Sequence, residues 1–316
     1  MKAIVIEDFG GVDKLHISDI PRPEPKKDEV LIEIAYAGVN PVDWKIREGY
    51  LKNWLPHSFP LTPGWDAAGR IVDKGKNVSD FKIGDEVWGY CRLPTVQHGT
   101  YAEYICVPAS NIAPKPKSLS LAQAAAIPLV ALTAWQAIFD FGQLRADQAI
   151  LIHAGAGGVG SMAIELAKHV GALVLTTASK KNHQYVLDLG ADHAIDYTQD
   201  NFVSSCRRIL PTGLDMVLDC VGADTLKQSL QLVKPGGVLA SIVDPLEREF
   251  GAAKNVKTGF VFVEPNGAQL RSIGDLFEKG EIRAPKVEEL RLDEAATAQE
   301  KSRSGHTCGK LVLKVR

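Results

Sequence analysis

Three glycines are the first residues with a chemical reading. Gly155, Gly157 and Gly160 stand in "AILIHAGAGGVGSMAIELAKHVGA", residues 149–172, with the spacing G-x-G-x-x-G. Ile150, Leu151 and Ile152, just before them, suit a strand buried on both faces of a parallel sheet. Just after them, Val159, Met162, Ala163, Leu166 and Ala167 recur at helical spacing. In this context the first glycine permits a tight turn, the second lets the backbone approach a pyrophosphate, and the third lets the helix pack on the strand. The first helix amides then face the phosphates. Gly155, Gly157, Gly158, Val159 and Gly160 are therefore candidate dinucleotide contacts.

The next strand selects the dinucleotide. An NAD site usually carries Asp or Glu about 20 residues beyond the glycines, where the carboxylate binds the ribose and repels a 2′-phosphate. Here "LVLTTA" runs into Ser179, Lys180 and Lys181, and the first acid after it, Asp188, falls inside the following helix. A hydroxyl and two ammonium groups favour NADP(H). Tyr197, ending the strand after that, either lines the adenine pocket or caps its strand.

These residues need a sheet to converge. The pattern of strand then helix continues through "ALVLTTA", "HAIDY", "LDMVLDCVG" and "GGVLASIV", with "TGFVFV" at 258–263 as the last strand. Such alternation predicts an α/β domain, a doubly wound parallel Rossmann sheet, over residues 122–263. Pro235, Gly236 and Gly237 are expected to end a helix and start a strand. Ligands bind at the carboxyl ends of such strands, which adds Cys220, Val221, Gly222, Ser241 and Val263 to the cofactor candidates. Cys220 reads as a wall residue, since no histidine stands beside it to activate a thiolate.

Composition sets the outer limits. A chain of 316 residues with 45% hydrophobic content holds two domains, and a net charge of −2 with interspersed signs argues against nucleic acid as a partner. Five scattered cysteines without a C-x-x-C pair point to a reducing cytoplasm, and no apolar run suggests a membrane span.

Residues 1–121 have another texture, with short β runs such as "KAIVIE", "EVLIEIAYAGV", "AAGRIVDKG" and "DEVWGY" between Pro and Gly turns. Here the motifs become specific. "AGVNPVDWKIREG", "PLTPGWDAAGRIVDKG", "FKIGDEVWG", "GTYAEYICVP", "GAGGVG" and "SGHTCGKLVLKV", in this order, resemble the medium-chain dehydrogenase/reductase superfamily. The likeness is nearest to its zinc-independent quinone oxidoreductase-like branch, which also contains enoyl reductases. It implies a GroES-like, β-rich catalytic domain built from residues 1–121 and a return at 264–316, around the Rossmann domain. It also implies a homodimer joined through the last Rossmann strand.

The resemblance also carries a departure. Zinc-dependent members have Cys where this chain has Asn40, and His where it has Trp65; neither amide nor indole suits Zn²⁺. The four clustered cysteines of the structural zinc site are missing too. No metal is expected. Without a Lewis acid the suitable acceptor delocalises the incoming charge itself, as a quinone or an activated C=C bond does. Asn40 should then lie near the nicotinamide, or serve only as the loop residue before Pro41. Asp43 orders the loop or acts as an acid; Lys45 and Tyr50 are possible proton donors. Tyr50, Leu51, Trp54 and Trp65 form either an apolar wall for a small hydrophobic acceptor or part of the core. Thr133 would face the nicotinamide ribose or bond its own helix. The expected function is NADPH-dependent reduction of a quinone or enone. The alternatives are an enoyl-thioester reductase and a low-turnover NADPH-binding sensor or interaction protein.

Overall fold

The computed structural model describes residues 1–247 and 249–316. The chain divides into two units: Met1–Leu129 with Pro265–Gly280 and Ala284–Arg316, and Val130–Glu264 with Glu281–Arg283.

In the second unit the apolar runs become a parallel sheet. Its strands lie in the order His193–Ile195, Leu173–Thr177, Ala149–Ile152, Leu214–Asp219, Val233–Ser241 and Lys257–Phe260. Every neighbouring pair is parallel. The chain winds outward from Ala149–Ile152 in one direction and then, from Leu214, in the other. The switch point lies off the carboxyl ends of those two central strands, which is where the glycine turn begins. Leu151, Leu175, Val217 and Leu239 are buried in the core beneath it.

Two local expectations change. Pro235, Gly236 and Gly237 lie inside the strand Val233–Ser241 rather than before it. Pairing jumps from Leu214↔Val233 to Met216↔Val238, and Gly236 takes φ +81°, so the extra residues form a bulge that needs no proline N–H. The last strand is Lys257–Phe260, ending before residue 263. The helix Pro128–Trp135 also continues as a π-helical turn, Gln136–Phe141, closed by Gly142 N–H on Ala137 O at 2.9 Å.

In the first unit a seven-stranded sheet follows the path Val287–Arg291, Lys310–Lys314, Glu29–Val39, Asp66–Lys74, Glu86–Tyr90 and Ile112–Pro114, with Tyr104–Pro108 also paired to Glu29–Val39. All these pairs are antiparallel except the first. Alternating residues such as Ile32, Ile34, Val87, Ile105 and Leu313 fill its core. Residues 310–314 insert beside 36–39, so both flanks of the chain build one sheet. The fold is thus α/β overall, a GroES-like β-rich unit and a Rossmann unit. The division falls at 129/130 instead of 121/122, because the helix Leu121–Ala126 packs on the first unit's sheet. Residues 281–283 belong with the second unit, where Arg283 Nε pairs with Glu165 Oε1 at 2.9 Å.

Candidate functional site

The glycine turn explains itself in two parts. A methyl group on Gly155 would sit 2.0 Å from Thr176 Oγ1, and one on Gly160 would sit 2.3 Å from Ala154 O and 2.7 Å from Gly155 Cα. Packing alone forbids side chains there. Gly157 differs: its methyl would meet only Ala154 O, at 3.3 Å. The fold therefore demands glycine less strictly there than at Gly155 or Gly160, and the position is one where a ligand drawn against the backbone would require it. Gly157, Gly158 and Val159 are partly exposed, and no side chain caps the helix Gly158–His169 that starts here. Ala154, just before, is held at φ +53°, a cost that stays where surrounding bonds over-determine it.

Those bonds form a chain through His153, which is 1% exposed. The Ala154 N–H donates to Thr177 Oγ1 at 3.1 Å, and Thr177 Oγ1 lies 3.1 Å from His153 Nδ1. On the other side His153 Nε2 lies 2.8 Å from Ser229 Oγ, which donates to Thr225 O at 2.6 Å. One assignment satisfies every group: Thr177 donates to Nδ1, and Nε2–H donates to Ser229. Burial pushes the imidazole down to about 3, so it stays neutral.

The other strand ends surround this turn along the sheet's carboxyl edge. Ser179 precedes a 3₁₀ turn, Lys180–Asn182, and Lys180 and Lys181 are exposed. Asp196, which no motif in the sequence marks, follows the next strand. Its Oδ1 accepts from Thr198 Oγ1 and N at 2.7 and 3.0 Å; these bonds hold it below the usual carboxylate range, and Lys180 adds to the effect. Tyr197 and Val221, beyond the ends of the strands His193–Ile195 and Leu214–Asp219, are 54% and 49% exposed. Beyond Cys220 the loop takes two consecutive left-handed residues, Gly222 at φ +85° and Ala223 at φ +49°. Asp219 clamps it by accepting from Val221 N–H and Gly222 N–H at 3.1 and 3.0 Å, and from Ser241 Oγ at 2.8 Å. Ser241 is therefore committed to the loop's scaffold. Burial pushes the Cys220 thiol far up, so it stays protonated. Val263 and Thr133 are buried in the same unit.

In the first unit two of the candidates, Asn40 and Asp43, belong to a buried cluster that no local pattern in the sequence assembles. Asn40 begins the helix Pro41–Arg47, and Asp43 closes its first turn by accepting from Asn40 N–H at 2.8 Å. The Asn40 side chain is fully buried. Its Nδ2 donates to Asp66 Oδ2 at 2.9 Å, and its Oδ1 accepts from Lys310 Nζ, which also donates to Val39 O at 2.7 Å. Asp66 Oδ1 accepts from Leu129 N–H at 2.8 Å, and Tyr101 OH donates to Asp43 Oδ2 at 2.8 Å. Burial raises Asp43 to about 7 and Asp66 to about 6, with Lys310 opposing both shifts; burial in turn lowers Lys310. The cluster escaped sequence reading because its cation comes from another region. The pattern Asn-x-x-Asp at 40–43, an N-cap with an acid at N3, was the legible part.

Lys45 is half-buried with its ammonium 5.8 Å from the Trp44 ring, and Tyr50 is 63% exposed, edge-on to Trp44 at 5.7 Å. Trp54 is also exposed and Leu51 partly so, whereas Trp65 is buried against Tyr90 at 5.9 Å. Trp65 thus belongs to the core, apart from the surface aromatics. At the two positions in question, Asn40 and Trp65, the chain offers an amide already shared between an ammonium and a carboxylate, and an indole. Among the described residues no three His, Cys, Asp or Glu side chains are placed to hold a metal ion. No helix among them is long and apolar enough to cross a membrane.

The chain matches two family models, the alcohol dehydrogenase GroES-like domain over residues 26–117 and zinc-binding dehydrogenase over 189–313. It is 37% identical to 2-methylene-furan-3-one reductase of Solanum lycopersicum, over 99% of this chain and 79% of that protein. The NADPH-dependent alkenal/one oxidoreductase, chloroplastic, of Arabidopsis thaliana gives the same figures. Among solved structures, the quinone oxidoreductase from Coxiella burnetii superposes with a TM-score of 0.89 at 37% identity, covering 100% of this chain and 99% of that one.

Proposed function

Because this chain belongs to the medium-chain dehydrogenase/reductase superfamily, in its quinone oxidoreductase-like branch, we propose that it is an NADPH-dependent reductase passing hydride to a quinone or an enone C=C bond without zinc. The cofactor is NADP(H), which when bound supplies the hydride. The unobstructed face of Gly157 and the uncapped helix behind it receive the pyrophosphate. Ser179 and Lys180 take the 2′-phosphate, and Tyr197 and Val221 cover the adenine side.

The observation that carries the choice of acceptor is the Asn40 cluster. The family description names zinc, yet the donor set here does not fit it. The amide's oxygen is taken by an ammonium and its N–H by Asp66, so a metal would have to displace a buried cation. No reaction step is therefore drawn through zinc. An acceptor that spreads negative charge through conjugation needs no such ion. Lys45 and Tyr50, on the segment that follows Asn40, are the side chains proposed to supply the proton, and exposed Tyr50 and Trp54 suit a small hydrophobic acceptor.

NADPH oxidation by purified protein, measured against quinones, enones, enoyl-thioesters and simple aldehydes, tests the reading. Turnover of quinones or enones that survives chelation, in protein free of stoichiometric metal, supports it. Turnover confined to aldehydes, or abolished by chelation, refutes it, and a preference for enoyl-thioesters moves the substrate class. We further propose a homodimer through the sheet edge Lys257–Phe260; a sedimentation mass near the chain's 34.2 kDa would refute that.

A further inference from the structure

We propose that Lys310 is the positioning residue for the segment that carries Asn40, Lys45 and Tyr50, its ammonium holding the Asn40 amide against Asp66 and so fixing where the helix Pro41–Arg47 begins. For the activity arm of its test this rests on the function proposed above.

The helix that starts at Asn40 has seven residues, too few to hold its direction by its own hydrogen bonds. Its direction comes from what grips it: the helix Ala295–Arg303 packs along it, and the contacts of Asn40 hold its first turn. Asn40 is gripped at three atoms: the main-chain N–H by Asp43, Nδ2 by Asp66, and Oδ1 by Lys310. The Asn40 side chain thereby bridges a cation and an anion. Either ion alone would leave one end of the amide unpaired in a site closed to water, an arrangement that buried polar groups avoid. Lys310 also donates to Val39 O, the residue immediately before, so the ammonium spans the end of the strand Glu29–Val39 and the start of the helix.

Charge makes the same point. Lys310, 4% exposed, faces two fully buried carboxylates, Asp66 and Asp43. The titratable groups that act on those carboxylates are Lys310, Tyr101, which donates to Asp43, and the Asp66 charge as felt by Asp43; Asn40 and Leu129 add only neutral N–H donors. Cys91 lies in the field of Asp66 and is kept a thiol by burial. Lys310 is the one cation in this set. Removing it leaves two carboxylates that stay buried only when protonated, so the arrangement around Asn40 should survive in acid and fail as they ionise.

Two variants test this. In Lys310→Met the ammonium is lost. In Lys310→Met/Asp66→Asn a carboxylate is lost with it, and the Asn40 amide can turn over to accept from the new amide. Relative to wild type, Lys310→Met should lose roughly a hundredfold in kcat/KM near pH 8, the scale expected when a reacting group is displaced by about 1 Å, and far less near pH 5.5. Its affinity for NADPH should stay within about twofold, because the cofactor groups of the second unit are untouched. The double variant should recover most of the loss at high pH. Melting temperature across the same pH range should show the same order, with Lys310→Met falling most steeply. A Lys310→Met enzyme with a wild-type pH profile, or a loss equal at every pH and not recovered by Asp66→Asn, overturns the proposal. If wild type reduces no quinone or enone, the proposed function fails by itself, and the three melting profiles still decide the role of Lys310. If Lys310→Met does not fold at high pH, folding of the double variant there supports the proposal and its failure overturns it.

Discussion

The two units bury polar groups in opposite ways. Behind the glycine turn, His153, Thr177 and Ser229 form a neutral chain in which each donor has an acceptor, and the imidazole is far from titrating at neutral pH. Around Asn40, two carboxylates share one ammonium, and their protons are held close to neutrality. The contrast teaches where pH can act. A neutral network fixes shape and ignores proton concentration; an ionic network with unequal charges fixes shape only within a window.

The largest effect should separate the glycines themselves. Gly160→Ala forces a methyl into backbone atoms, and loss of about 3 kcal/mol or more is expected in denaturant titration. Gly157→Ala should leave stability within about 0.5 kcal/mol while NADPH binding weakens by tenfold or more. Equal destabilisation by the two would break the claim that the second glycine serves the ligand.

Next comes the neutral chain. His153→Phe leaves Thr177 and Ser229 each short of a partner and should cost about 2–3 kcal/mol, nearly constant between about pH 5 and 9. A cost that grows through that range would show that His153 titrates after all.

The ionic cluster should answer differently. Asp43 is raised above its unfolded value of 3.8 to about 7, so its contribution is full below 3.8 and is lost as pH rises through about 7. In Asp43→Asn that slope should vanish. Wild type should lose about 1–2 kcal/mol relative to the variant across this window, less than a lone group would give because Asp66 and Lys310 share the titration. Parallel melting curves against pH would break the comparison at its centre. The smallest effect is at the surface: Lys180→Ala should raise KM for NADPH about tenfold, leave NADH unchanged and not move the melting temperature.

What the sequence revealed follows the same line. The glycine turn, the strand and helix on either side of it and the end of "LVLTTA", with two lysines and no acid, are local signals, each written within about a dozen residues of sequence. The π-helical turn at Gln136–Phe141 and the bulge at Pro235–Gly237 are local too, but they depend on register, which composition does not encode. The Asn40 cluster is not local. Lys310 lies 270 residues beyond Asn40 and reads by itself as a polar residue opening an apolar strand; only the pairing of 310–314 with 36–39 gives it a function. Asp196 was missed for a similar reason, since its link to Lys180 crosses two strands.

That split of the first unit has a consequence for synthesis. The strand that completes its sheet, and the ammonium that neutralises its buried acids, leave the ribosome only after all of the second unit has done so. Residues 130–264 are contiguous and hold a complete parallel sheet, so the middle of the chain is equipped to fold while the beginning still waits for its last strand. Until then Asp43 and Asp66 have no cation, and the edge of Glu29–Val39 that residues 310–314 will cover stands open to any passing strand. Nascent chains stalled before residue 310 should therefore present a protease-resistant centre behind a digestible start, the reverse of the usual order along a polypeptide.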